Sequence, residues 1–183
     1  MRFIYCTVLM LLTLAACTRI SPSAEVTGIG LYTATSTSKV DEPRSLSGAV
    51  SESSSVQLVT TTTRIPAVIG TRFGFGYVLR GLDAQDYSVR YVWRFPDGGL
   101  VNTTTGQSAR DFQIERSCRV GESCFNAWVF SYDWELKPGT WTAEVWVGRE
   151  KLISRDFEIY LPQNIPGRTP NSPQRSSGAT KLE

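Results

Sequence analysis

The residues able to do chemistry are few. The chain has 183 residues and no histidine. Without imidazole there is no Ser-His-Asp or Cys-His nucleophile, no His-based zinc site and no histidine pH switch. No G-x-S-x-G segment offers a serine elbow. Carboxylates are what remain. Asp133, Glu135 and Glu144 fall on neighbouring expected strands, with Asp133 and Glu135 on one face. Two such acids could serve as acid and base on a glycoside of the cell envelope. Alternation also puts acids on the solvent face of any sheet, beside Lys or Arg partners, and that bland reading leaves no catalytic residue. It is the one adopted, with a carboxylate-based polysaccharide hydrolase as the alternative and with no cofactor or metal. Cys118 and Cys124 flank Arg-Val-Gly-Glu-Ser. That spacing is not C-x-x-C, and two thiolates without histidine make a poor metal site. A disulfide closing a hairpin, with Gly121 in its turn, is the economical reading.

Further upstream, residues 1–17 read MRFIYCTVLMLLTLAAC. Arg2 gives a positive start, and Phe3 to Leu14 form an apolar run too short to span a bilayer comfortably. Leu14-Ala15-Ala16-Cys17 is similar to the lipobox of bacterial lipoproteins. The resemblance implies cleavage before Cys17, a lipidated thiol and an acylated new N-terminus, which together hold a domain at a membrane. An ordinary secretory signal ending in a chance cysteine is the rival. Thr18 stands where inner-membrane lipoproteins usually carry aspartate, so the resemblance points to the outer membrane; the periplasm is the default side, with the cell surface as the other orientation. Export also permits the disulfide. With 19 Lys and Arg against 17 Asp and Glu, no phosphate-neutralising excess marks a nucleic-acid binder.

These residues need elements to position them. After the signal peptide (1–16) and a polar lipidated tether (17–25), residues 26–161 carry apolar side chains with a period of two and no convincing helical repeat. Expected strands are Val26–Ala34, Val56–Thr63, Arg72–Arg80, Tyr87–Phe95, Ala109–Glu115, Phe125–Glu135, Thr140–Gly148 and Leu152–Tyr160. Turn residues separate them, among them Pro96-Asp97-Gly98-Gly99 and Lys137-Pro138-Gly139. This argues for one all-β domain, an antiparallel sandwich of about seven or eight strands by this count, with an up-and-down barrel as the other solution. Aromatic rows such as Phe73, Phe75 and Tyr77, or Tyr87, Tyr91, Trp93 and Phe95, read as packed inner faces rather than a ligand-stacking platform. Trp128, Phe130, Tyr132 and Trp134 read as a third row. Gly74 and Gly76 leave the opposite face bare for a close ring or backbone. The serine-rich segment 36–55 reads as a long surface loop. Residues 162–183 hold too little apolar surface to order and read as a disordered tail, a solvated linker rather than a basic arm.

Three segments resemble a family together: Ile65–Gly74, Arg94–Leu100 and Asp133–Trp141. They are similar to exported bacterial proteins known only as a domain of unknown function and regarded as immunoglobulin-like sandwiches. The resemblance spans about Val26 to Ile159 and implies that fold, but no activity and no catalytic residue. Cys118 and Cys124 have no counterpart in its pattern. A sandwich presents loops and strand edges to partners, so a non-enzymatic binding or accessory module on the membrane, contacting an envelope protein or glycan, is the expected role. Trp146 shares a polar face with Thr142 and Glu144, which makes it the candidate contact residue; packing beneath the 36–55 loop is its other reading.

Overall fold

The computed structural model describes residues 21–83 and 85–163. The signal segment, Cys17 and nearly all of the expected tail lie outside the described residues. In chain order the elements are β1 (Ser23–Thr33), β2 (Ser36–Asp41), β3 (Ala49–Ser54), β4 (Gln57–Thr61), β5 (Arg64–Pro66), β6 (Arg72–Arg80), β7 (Asp86–Arg94), β8 (Leu100–Val101), β9 (Ser108–Ala109), β10 (Asp111–Arg119), β11 (Ser123–Val129), a 3-10 turn (Asp133–Glu135), β12 (Gly139–Val147) and β13 (Glu150–Tyr160). A four-stranded sheet runs β11-β6-β1-β4 and a five-stranded sheet runs β10-β7-β12-β13-β5. All pairs are antiparallel except β13 with β5. Both sheets keep open edges, so the fold is a sandwich and not a closed barrel. β1 begins at Ser23, inside the stretch read as tether.

Alternation builds the core. Phe73, Phe75, Tyr77 and Leu79 of β6 face inward, fully buried, against Val89, Tyr91 and Trp93 of β7 and Trp141, Ala143 and Val145 of β12. Phe73 meets Trp93 and Phe157 edge-on, and Trp93 stacks on Phe157 with centroids 5.9 Å apart. These rows are core. On the outer face of β6 the glycines do what their spacing predicts. A Cβ on Gly74, where φ is +155°, would sit 2.2 Å from the Asn126 carbonyl oxygen. At Gly76 it would press on the Phe125 ring at 3.1 Å. Tyr32 and Phe125 cover this bare strip, edge to face at 5.7 Å, and the Gly76 N–H donates to the Tyr32 hydroxyl at 3.1 Å.

Three expectations are corrected. The strand carrying the third aromatic row ends at Val129, so Trp128 and Phe130 join the core as expected but Tyr132 and Trp134 do not; Glu135 reaches back to accept the Ser131 and Tyr132 N–H groups and offers that backbone an alternative to the ladder. Tyr132 and Trp134 then stack on each other at 5.4 Å instead of sharing a strand face. Segment 36–55 is no loop: β2 and β3 form a hairpin with Val40 opposite Val50, closed by a turn in which the Glu42 N–H donates to the Gly48 carbonyl at 2.9 Å. Finally, Cys118 and Cys124 are bonded, with Cα atoms 5.9 Å apart, yet they close no hairpin. β10 and β11 belong to different sheets, so the disulfide ties sheet to sheet across a turn where Gly121 has φ +85°.

The chain enters at one end of the sandwich, where Ser23 pairs with Arg80 and Gly121 donates to the Leu79 carbonyl. The segments 65–74, 94–100 and 133–141 gather at the other end. Lys137 donates its ammonium to the Asp97 and Gly99 carbonyls at 2.7 and 2.6 Å. Gly139 lies against Pro96, and Trp141 packs on both Phe73 and Phe95 while its indole N–H bonds the Lys137 carbonyl at 3.0 Å. The three motifs are the joints of one aromatic end.

Candidate functional site

β10 and β11 follow one another in sequence and form the outermost strands of their sheets on the same side of the sandwich. A sandwich side with two such edges is a gap, and the β2–β3 hairpin spans it without pairing to either strand. A cleft of about 430 Å³ lies between hairpin and edges, within the range of ligand sites. Phe112 and Ile114 of β10, Trp128 of β11 and Tyr91 and Trp93 of the floor give it apolar walls; Lys39, Arg72, Arg116 and Glu135 add charge.

Polar contacts fasten the hairpin. Arg72 donates to Thr37 at 3.0 Å, and Lys39 donates to the Tyr132 hydroxyl at 3.1 Å while lying 5.0 Å from that ring's centre. Arg116 pairs with Glu52 at 3.5 Å. At the tip, the Asn102 amide donates to the Leu46 carbonyl at 2.7 Å. The contacts of Lys39, Arg72 and Arg116 are exposed or half-exposed and individually weak, while Leu46 and Val50 add apolar packing against the core. Glu135 lies at one end of the cleft, 4% exposed, and burial raises its carboxyl to about 7 despite the two backbone N–H groups it accepts. The Trp128 indole N–H is buried without an acceptor among the described residues.

Glu144 occupies a different place, the outer face of the five-stranded sheet. Only 3% exposed, it accepts from Trp146 at 2.9 Å, Lys151 at 3.1 Å and Arg94 at 3.3 and 3.4 Å. Burial pushes its carboxyl upward, but these three donors outweigh burial and hold it below the usual carboxylate value. The sequence places Trp146 correctly on the polar face, but it does not foretell its neighbours. Arg90 and Lys151 lie over the ring at 5.3 and 5.6 Å, and Trp146 is not among the residues lining the cleft under the hairpin.

The three acids singled out from sequence are therefore dispersed. Asp133 is exposed on the 3-10 turn, Glu135 is turned inward to cap it, and Glu144 sits among cations on the outer sheet face. None shares a hydrogen-bonding partner with another. No cluster of three metal-ligating side chains occurs among the described residues. Sequence alone does not reveal the cleft, because its lid reads as a loop; the uncharged run of β11 beside a Cys-x5-Cys turn is the available signal.

A family model described as a domain of unknown function, DUF3859, matches residues 21–159. The chain belongs to this family. The match takes in both sheets and the hairpin, so the cleft is built wholly from DUF3859 sequence. An immunoglobulin-like protein from Pseudomonas aeruginosa, known as a crystal structure, is 23% identical and superposes with a TM-score of 0.57, covering 78% of this chain and 99% of its own. That likeness shows the immunoglobulin-like fold. Among curated proteins none matches the chain.

Proposed function

We propose that this DUF3859 chain is a lipid-anchored protein of the outer membrane, held through Cys17, that acts as a non-enzymatic binding or accessory module in the periplasm. The observation that carries the binding role is the cleft of about 430 Å³ on the open side of the sandwich, strapped by a hairpin that belongs to neither sheet. The lipobox-like Leu14-Ala15-Ala16-Cys17 supports the anchor. The immunoglobulin-like fold and a family without assigned chemistry are compatible with an accessory role. A carboxylate-based hydrolase is less well supported, because Glu135 and Glu144 sit in separate environments with separate partners. Trp146, half-buried beside exposed cations, is proposed as a secondary contact residue.

The test uses cells fed an alkyne fatty acid and expressing the protein with a photo-crosslinker at Ser51 in the cleft or at Ser154 on the outer sheet face. Label on the wild type but not on Cys17→Ala, with sedimentation in the outer membrane, supports the anchor. An unlabelled, soluble periplasmic product overturns it. A discrete adduct from position 51 supports the cleft as the contact site. An adduct from 154 alone moves the site to Trp146, and polysaccharide cleavage lost in Glu135→Gln or Glu144→Gln revives the hydrolase.

A further inference from the structure

Every residue of β11 from Ser123 to Val129 lines the cleft, although their side chains alternate between the two faces of the sheet. What they have in common is the backbone edge. Its free groups can be assigned. Phe130 donates its N–H to Thr71 and accepts from Gly70, both on the β6 side, at 3.1 and 2.8 Å. The β11–β6 register runs without a shift, so even-numbered residues bond to β6 and the N–H and C=O groups of Phe125, Ala127 and Val129 point to the open edge. Among the described residues no backbone hydrogen bond joins β11 to the hairpin or to β10. The edge also lacks the usual protection, since Ser-Cys-Phe-Asn-Ala-Trp-Val contains no charge and no proline.

We infer that this edge is a strand-addition site that takes an extended, acidic segment of a partner protein between β11 and the β2–β3 hairpin. The inference rests on the cleft being the binding site and names the class of its occupant. Seven residues of β11 offer about 20 Å of edge, and main-chain bonding supplies affinity without needing a particular sequence. The charge around it favours an acidic guest: with Arg116 and Glu52 paired, Lys39 and Arg72 stand against Glu135 alone, whose carboxyl is shielded from water. Within the wall, the acceptorless indole N–H of Trp128 suits a peptide carbonyl. The hairpin, which pairs with neither sheet, is the part that yields to admit it.

The experiment pans a phage-displayed library of random twelve-residue peptides on the detergent-solubilised full chain, then follows amide exchange with an enriched peptide bound. Enrichment of acidic peptides that slow exchange about tenfold or more at Phe125, Ala127 and Val129, with even-numbered neighbours unchanged, supports the site. Ala127→Pro removes one edge donor at a position where an edge strand tolerates proline, and binding falls about tenfold or more. Arg116→Glu keeps the edge and turns the selection away from acidic peptides, which keeps the proposal testable if the proline variant misfolds. Enriched peptides that protect other strands, or no enrichment, overturn strand addition. Slow exchange at those amides in the free chain means the protein already fills its own edge and also overturns it. The anchor and the cleft crosslink are read separately, so a discrete adduct from Ser51 with no peptide selection would sink only the strand-addition claim.

Discussion

Glu135 and Glu144 are both buried acids, and their surroundings drive them in opposite directions. For Glu135 burial outweighs the Ser131 and Tyr132 N–H groups and the nearby Lys39 charge, and its carboxyl is raised to about 7, well above its unfolded value near 4.5. The native state therefore holds a proton there that the unfolded chain has lost, and the associated stability is present below pH 4.5 and lost as pH rises through 7. Glu135→Gln keeps an oxygen for the Ser131 and Tyr132 N–H groups without the charge. Denaturant melts are expected to match wild type near pH 4.5 and to favour the variant at pH 8, by up to about 3 kcal/mol. Glu144 has the reverse sign. Its carboxyl is lowered by Trp146, Arg94 and Lys151, so its contribution is present above the unfolded value and disappears as pH falls through the lowered one. Glu144→Gln should lose roughly 1–3 kcal/mol at pH 7, a gap that closes in acid. Alternation placed Glu144 on the right face; that three donors meet there depends on registers between β7, β12 and β13, which no local pattern encodes.

At the scale of elements, the sequence was readable wherever one face of a strand is buried. β6, β7, β12 and β13 lie within two residues of their expected bounds because Phe73, Phe75 and Tyr77, or Trp141, Ala143 and Val145, alternate against a core. β2 and β3 were not readable. Their side chains are mostly exposed serines, threonines and charges, and their order comes from pairing with each other over a gap that only the folded sandwich creates. The disulfide was found from spacing, but its meaning needed the topology that sends β10 and β11 into different sheets. The hairpin's independence has a measurable consequence. Replacing residues 36–54 by a short glycine-serine link should leave the core aromatic contacts and cooperative melting intact. The amides of β10 and β11 should then exchange faster by hydrogen exchange, since their cover is gone. A loss of cooperative folding would show that the hairpin is part of the core.

For the whole molecule, the two ends of the sandwich have different tasks. Trp141, Phe73, Phe95 and Phe130 lock the end where residues 65–74, 94–100 and 133–141 gather, and the Cys118–Cys124 bond ties the sheets toward the end where β1 starts. Six Cα steps separate Cys17 from Ser23, a span of roughly 20 Å at full extension. A lipid on Cys17 would therefore hold the disulfide end, with the β12–β13 turn at Gly148 and Arg149, next to the bilayer. The turn containing Val68 and Ile69 would point away, beyond the length of β6. β11 runs between the two ends, so a guest strand beside it would lie along the membrane normal. Spin labels give the test, one at Arg149→Cys and one at Ile69→Cys in lipidated protein reconstituted in vesicles. The first is expected to feel a relaxation agent at the headgroups and the second to be insensitive to it. Equal insensitivity at both sites would mean that the domain stands off the membrane on more chain than β1 leaves free, and that the strand edge has no fixed orientation to it.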